Sequence, residues 1–157
     1  MNKPTPLQSG TKAPDFSALD QDGKEYSKTS LLGSRYLIYF YPRDLTPGCT
    51  TEACALRDVY ENFIKHDTLI LGVSTDHAKS HRKFIDKNSL PFPLLVDEDH
   101  AIAEAFGVWG VKKFMGRTFD GVHRMSFLIG EEGKIVKTYE KVKPAEHALQ
   151  VLNDLKL

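Results

Sequence analysis

Residues 36–54 read Tyr-Leu-Ile-Tyr-Phe-Tyr-Pro-Arg-Asp-Leu-Thr-Pro-Gly-Cys-Thr-Thr-Glu-Ala-Cys. The first six are apolar or aromatic β-formers, a run typical of a strand that is buried on both faces of a parallel sheet. The prolines and glycine at 42–48 predict a loop after this strand. Thr46 is a good N-cap and Pro47 suits the first helical position, so we predict a helix from here to about Lys65.

Cys49 falls in the first turn of this predicted helix. Backbone N–H groups without helical partners and the positive end of the helix dipole favour a negative sulfur there, so the position suits a nucleophile. Leu56, seven residues on, belongs to an apolar stripe, which places Cys49 on the inward face. Cys54 shares a face with charged residues such as Arg57 and is expected to point towards solvent.

The spacing of the two cysteines limits how they can react. Five residues apart on a helix, their Cα atoms would lie roughly 8.7 Å apart, beyond the ~7 Å limit for an unstrained disulfide. A disulfide between them therefore requires the helix start to unwind. An alternative interpretation remains open for Cys54, which taken alone could be an unreactive cysteine that packs as a small hydrophobic residue. A zinc site is disfavoured, since Cys-x4-Cys is not the usual ligand spacing and no second cysteine pair follows.

Hydrophobic patterning predicts the elements on either side of this stretch. A small hairpin is expected over 15–26, and 108–122 is expected to be a long basic and aromatic loop. Further strands are predicted at 68–74, 91–96, 124–129 and 134–139, and further helices at 76–88, at 100–106 and from Pro144 onward. His77 and His81 lie four residues apart on the helix predicted at 76–88 and are expected on a solvated face rather than at a metal.

The order of these elements predicts the fold class. Strands alternate with helices and a hairpin closes the series, which indicates an α/β, thioredoxin-like fold with a mixed central sheet flanked by helices and an N-terminal hairpin extension. In such sheets the active site lies beyond the carboxyl ends of the strands, here at 42–50 and 74–77. Residues 1–157 are expected to form a single domain.

Charge and hydropathy exclude several classes of protein. Lys and Arg number 21 and Asp and Glu number 21, so no positive field favours nucleic acid or an anionic membrane. The longest wholly apolar run, at 36–41, is far short of the roughly twenty residues of a membrane helix. Residues 1–10 do not resemble a secretory signal, so a cytoplasmic protein is expected. Two cysteines are too few for a disulfide scaffold.

A cysteine nucleophile needs a partner, and two neighbouring residues are the alternatives. His123 would act as the base of a cysteine hydrolase, whereas Arg124 would stabilise a thiolate. Neighbouring strand residues point to opposite faces, so both cannot face Cys49. Arg124 is the better partner for a thiolate because it is always charged and offers several donors, and Ser126 would share its face.

Taken together, these segments resemble the peroxiredoxins. Pro42-x-x-x-Thr46-x-x-Cys49 matches the active-site motif of that family, and Cys49-Thr-Thr-Glu-Ala-Cys54 is similar to its Q subfamily, the bacterioferritin comigratory protein type. The resemblance covers nearly the whole chain, including 10–16, 106–110 and 124–129.

The resemblance implies a thiol peroxidase that reduces hydrogen peroxide and organic hydroperoxides without a metal or organic cofactor. Cys49 would be the peroxidatic cysteine and Cys54 the resolving one, joined in an intramolecular disulfide that thioredoxin or a similar dithiol reduces. Thr46 would hydrogen-bond the thiolate and the peroxide, Arg124 would bind both, and Pro42 would shield the pocket from water. The resemblance and the intramolecular cysteine pair favour a monomer.

Two departures and two rival functions accompany this resemblance. Family members often have Ser-Thr after the arginine, where this chain has Met125-Ser126, and Leu45 stands where a small polar residue is more usual. Both affect the expected pocket shape rather than the chemistry. A peroxide-responsive redox sensor that signals through local unfolding would share the first oxidation step. A thiol–disulfide oxidoreductase is disfavoured, because its Cys-x-x-Cys motif is absent.

Overall fold

The computed structural model of the protein describes residues 2–156. The strands are β1 (Ser17–Leu19), β2 (Glu25–Ser27), β3 (Arg35–Phe40), β4 (Thr68–Ser74), β5 (Leu94–Val96), β6 (Trp109–Phe114), β7 (Arg117–Val122), β8 (Met125–Ile129) and β9 (Ile135–Tyr139). The helices are α1 (Pro47–Asp58), α2 (Tyr60–Lys65), α3 (Ala78–Asn88), α4 (Ala101–Phe106) and α5 (His147–Leu155). Within residues 2–156, no helix has the length and apolarity needed to cross a membrane.

A mixed five-stranded sheet forms the centre of the molecule, in the order β5-β4-β3-β8-β9. β3 and β5 pair with β4 in parallel, whereas β8 is antiparallel to both β3 and β9. The apolar run of β3 is explained by its central position, because both of its faces are covered and every residue from Tyr36 to Phe40 is buried. The predicted thioredoxin-like α/β fold is confirmed.

Each face of the sheet packs against its own apolar layer. Leu37 and Tyr39 of β3 face the layer that α1, α3 and α5 cover. Ile38 and Phe40 face the opposite layer, which includes α4 and the N-terminal hairpin of β1 and β2. The predicted helices on both faces and the predicted N-terminal hairpin are therefore confirmed.

The segment 108–122 is not a loop, and that expectation is wrong. β6 and β7 form an antiparallel hairpin with a two-residue turn at Met115-Gly116, where both residues have positive φ, as a type I′ turn requires. The Val111 N–H also donates to the Asn2 carbonyl at 2.8 Å, so the N-terminal segment lies along the edge of β6. The strands lack alternating apolar residues, and for that reason the pattern did not predict them.

Two helix predictions also need correction. The helix predicted to run to Lys65 is interrupted at Val59, whose φ of −115° and ψ of 14° are not helical, so α1 and α2 are separate. The C-terminal helix begins at His147 rather than at Pro144. The Lys143 carbonyl accepts from the N–H groups of both Glu146 and His147, and this turn occupies the predicted first helical residues.

Candidate active site

The loop after β3 leads directly into α1, whose first turn places the Cys49 side chain in the apolar layer between this helix and the central sheet. Thr46 is the N-cap, with extended backbone, and α1 begins at Pro47 as predicted. Cys49 is only 1% exposed, on the same buried face as Ala53 and Leu56. The predicted inward position of Cys49 is confirmed.

Thr46 caps α1 by position rather than by its side chain. Its hydroxyl donates to the Arg43 carbonyl at 2.8 Å, and the first helical turn closes through the Thr50 N–H, which donates to the Thr46 carbonyl at 2.9 Å. The Thr46 hydroxyl oxygen therefore keeps its lone pairs for a hydrogen bond from a bound molecule. The expected bond from Thr46 to the thiolate is not formed, since the hydroxyl donates to Arg43 instead, whereas the expected bond to a peroxide and the shielding by the half-buried Pro42 stay predictions.

Arg124 lies immediately before β8 and joins two groups of α1. Its Nη2 donates to the Cys49 Sγ at 3.3 Å, and its Nη1 donates to Glu52 Oε1 at 2.7 Å. His123 instead directs its Nε2 to the Val111 carbonyl, 3.0 Å away. The argument from permanent charge therefore selected the residue that contacts the cysteine, although both residues lie between β7 and β8 rather than in a strand.

Glu52 is a buried acid that the sequence analysis did not single out. It is fully buried, and its Oε2 has no hydrogen-bond partner among the described residues. Burial raises the pKa of Glu52 to about 7, and the nearby Arg124 only partly opposes this effect. Burial alone would lower the pKa of Arg124, but Glu52 and the Cys49 sulfur raise it, so the guanidinium stays charged. The three-residue spacing from Cys49 on an inward face was the signal that could have found Glu52.

Glu52 should make the stability of the protein depend on pH. The folded pKa of about 7 exceeds the ordinary value of 4.5, so between these values the folded state holds a proton that the unfolded state has released. Stability therefore falls as pH rises through this window, by about 3 kcal/mol in total. Glu52→Gln should remove this loss, as measured by urea unfolding at pH 4.5 and pH 8. Exposed Glu61→Gln is the control, and parallel pH curves for wild type and Glu52→Gln would contradict the prediction.

The absence of a side chain at Gly48 leaves space for the Arg124 guanidinium beside Cys49. A Cβ at this position would lie 3.1 Å from Arg124 Nη2 and 3.9 Å from Pro144 Cγ. That separation is tighter than an ordinary contact, so a side chain at Gly48 requires the guanidinium to shift by a few tenths of an ångström.

Gly48→Ala is therefore expected to slow the reaction of Cys49 with peroxide by about tenfold, which is ~1.4 kcal/mol of activation free energy. Stability should stay the same or rise, because alanine is the better helix former by up to about 1 kcal/mol. Stopped-flow oxidation and urea unfolding measure the two effects, with exposed Thr51→Ala as the control in the same helical turn. A slower variant that is also less stable would point to general disruption instead.

Cys54 lies in α1 together with Cys49, and both thiols are free. It is half-buried rather than directed to solvent, which corrects the sequence expectation. Its Sγ lies 3.6 Å from Asn88 Oδ1 at the end of α3 and 3.5 Å from Arg57 Nη1, which also donates to the Asn88 carbonyl at 2.8 Å. With both cysteines in one intact helix, the predicted need to unwind before a disulfide forms remains a prediction.

Ser126 follows Arg124 by two residues, in β8, and its side chain contacts His147 at the start of α5. Ser126 is buried, and its Oγ lies 2.8 Å from His147 Nε2. Burial lowers the pKa of His147 to about 4, so the imidazole is neutral near pH 7. Gln150 Oε1, at 3.2 Å, faces His147 Nδ1 as an acceptor, so Nε2 is left to accept from the Ser126 hydroxyl. The neutral ring adds no second charge beside Arg124.

Comparison with known proteins identifies this arrangement. Residues 9–138 match the model of the AhpC/TSA family. The chain belongs to this family. Peroxiredoxin Bcp of Escherichia coli K12 is 49% identical over 151 residues, which cover 96% of this chain and 97% of that protein. Peroxiredoxin Bcp of Bacillus subtilis is 45% identical over 150 residues, 96% of each chain.

Solved peroxiredoxin structures share the fold over nearly the whole length. Peroxiredoxin Q of Xanthomonas campestris superimposes with a TM-score of 0.88 at 38% identity, covering 96% of this chain and 98% of the other. A bacterioferritin comigratory protein of the same organism, described for its alkyl peroxide reduction activity, gives the same TM-score over 94% of this chain and 97% of the other. The protein is therefore a peroxiredoxin of the Bcp and Q type, a thiol peroxidase that uses a peroxide and a thiol reductant.

Proposed function

We propose that Cys49 is the peroxidatic cysteine of this peroxiredoxin and that Cys54 resolves its oxidised form. Arg124, Thr46 and Pro42 complete the site, Arg124 by stabilising charge, Thr46 by accepting a hydrogen bond and Pro42 by shielding the sulfur. The observation that carries this proposal is the contact of the Arg124 guanidinium with a buried cysteine at a helix N-terminus.

In the first step the Cys49 thiolate attacks one oxygen of the peroxide. A sulfur–oxygen bond forms and the O–O bond breaks, which leaves a sulfenic acid and an alkoxide or hydroxide that takes up a proton. Arg124 and the N–H groups of the first helical turn face the region where negative charge moves from sulfur to the leaving oxygen. These donors are held before the peroxide arrives, so they lower the barrier without a reorganisation cost.

In the second step the Cys54 thiolate attacks the Cys49 sulfenic sulfur. A disulfide forms and hydroxide leaves, taking up a proton as water. Residues around Cys49 must leave the helix first, because a helix holds the two cysteines too far apart. An external dithiol, thioredoxin or a similar reductant, then returns both thiols.

Substrates, assembly and compartment are part of the same proposal. Hydrogen peroxide and organic hydroperoxides are the proposed substrates, supported by the alkyl peroxide activity named for the Xanthomonas campestris relative. We further propose a monomer, which the intramolecular cysteine pair favours, and a single domain, because both apolar layers share the one central sheet. The cytoplasm is the proposed compartment, because two cysteines are too few for the disulfide scaffold typical of small secreted proteins.

The test is the rate at which the reduced protein reacts with hydrogen peroxide, followed by intact mass. We expect oxidation orders of magnitude faster than that of free cysteine, a product that has lost two hydrogens, and repeated turnover with thioredoxin. Oxidation at the rate of free cysteine would exclude the proposed site. Rapid oxidation that thioredoxin does not reverse would favour a redox sensor.

A further inference from the structure

His81 of α3 is fully buried, so the expectation of a solvated face is wrong at this residue. Its Nδ1 lies 2.7 Å from Asp44 Oδ2, and its Nε2 lies 2.8 Å from the Leu95 carbonyl. Asp44 is also buried, in the loop between β3 and α1. The pair links the loop that carries Pro42 and Thr46 to the body of the fold.

Several hydrogen bonds converge on this pair. The Leu95 carbonyl only accepts, so His81 Nε2 carries a proton. Asp44 accepts from Tyr41 Oη at 2.6 Å and from Ser80 Oγ at 2.8 Å. Burial and the Asp44 charge raise the pKa of Tyr41 well above its usual value, so the phenol remains a donor. His81 Nδ1 is the third side-chain partner of Asp44, so the ring joins that carboxyl group to the Leu95 carbonyl.

The main chain of Asp44 is fixed as well as its side chain. Its N–H donates to Asp76 Oδ2 at 2.8 Å, and the Ser74 hydroxyl at the end of β4 donates to the same oxygen at 2.7 Å. Asp44, Asp76 and His81 lie close enough together to suggest ligands of a metal ion, but these hydrogen bonds already engage the atoms that face one another. The cluster therefore fits an anchor for the loop.

Residue Leu45 shows that the loop is held against a backbone preference. Its φ is +62°, a left-handed conformation that a branched residue adopts only when its surroundings fix it. Asp44 fixes the chain on one side of Leu45, and Thr46 begins α1 on the other. Without the Asp44 anchor, this conformation has no support on the N-terminal side.

We propose that His81 is a positioning residue of the peroxidase, holding residues 42–46 through Asp44 so that Pro42 and Thr46 stay beside Cys49. The inference rests on the proposed function of those three residues. In this proposal the chain stays fixed at Asp44 while the residues at the start of α1 leave the helix. His81 itself does not contact the peroxide and acts through the loop.

The test compares two reactions of Cys49 in the Cys54→Ser protein, where it is the sole thiol. Hydrogen peroxide requires the assembled pocket, whereas iodoacetamide requires only an accessible thiolate. His81→Phe removes both ring nitrogens, and His81→Gln keeps an N–H donor for Asp44. We expect the ratio of the peroxide rate to the alkylation rate to decrease by about 10-fold to 100-fold in His81→Phe. The decrease should be smaller in His81→Gln.

Ile85→Ala is the matched control, because Ile85 is a buried residue of α3, one helical turn from His81, whose apolar side chain cannot form a hydrogen bond to the loop. It should destabilise the protein and leave the rate ratio unchanged. An unchanged ratio in folded His81 variants, or an equal fall in Ile85→Ala, would overturn the proposal. If His81→Phe does not fold by near-ultraviolet circular dichroism, His81→Gln decides. A parent protein whose ratio equals that of free cysteine would instead refute the proposed function.

Discussion

Cys49→Ser is expected to abolish peroxide reduction, whereas Cys54→Ser should react once with peroxide and then stall. A serine hydroxyl is not ionised near neutral pH, so Cys49→Ser lacks the nucleophile that attacks the O–O bond. Cys54→Ser retains that nucleophile beside Arg124 but has no second thiol to condense with the sulfenic acid.

Intact mass separates the two variants in one experiment. After one equivalent of hydrogen peroxide, Cys49→Ser should keep its mass, Cys54→Ser should gain one oxygen, and the wild-type protein should lose two hydrogens. Exposed Ser30→Ala is a control that should behave as wild type. Full turnover of Cys54→Ser with thioredoxin would show that Cys54 is not the resolving cysteine.

Arg124→Met is expected to slow Cys49 oxidation by about 10²–10³-fold, the usual loss when one donor to a developing charge is removed. It should also destabilise the protein, the more so above pH 7, because Glu52 loses the cation that lowers its pKa and must hold a proton that the unfolded chain releases. The two effects have different causes, since the first depends on the contact with Cys49 and the second on the contact with Glu52.

The double variant Arg124→Met/Glu52→Gln distinguishes these causes. Neutralising Glu52 should restore most of the stability measured by urea unfolding, but not the stopped-flow oxidation rate. Arg117→Met, at an exposed position on β7, is the control for losing an arginine. If the double variant regained its oxidation rate, the direct role of Arg124 at the sulfur would be wrong.

Local patterns in the sequence predicted the parts of the site that depend on one element. The apolar run of β3, the Thr46-Pro47 helix start and the permanent charge of Arg124 are each readable within a few residues. Together they placed Cys49 on a buried face and selected Arg124 over His123, as the structure confirms.

The polar interior was harder to predict, because a buried charged residue looks in sequence like one on the surface. Glu52 and His81 are stabilised by partners 72 and 37 positions away, Arg124 and Asp44, which no local pattern connects. Half-burial of Cys54 likewise depends on Asn88, which is brought to it by the packing of α3 against α1. The hairpin of β6 and β7 was missed for a different reason, since its strands have no sustained apolar alternation.

The location of both cysteines in α1 links the stability of this helix to the reduction potential of the enzyme. The reduced protein has an intact helix, and the proposed disulfide excludes it. Any interaction that strengthens the start of α1 therefore favours the dithiol state and makes the disulfide more oxidising, by about 30 mV for each 1.4 kcal/mol. A substitution far from either sulfur, at any residue that supports the helix start, would alter how readily a given dithiol reduces the enzyme.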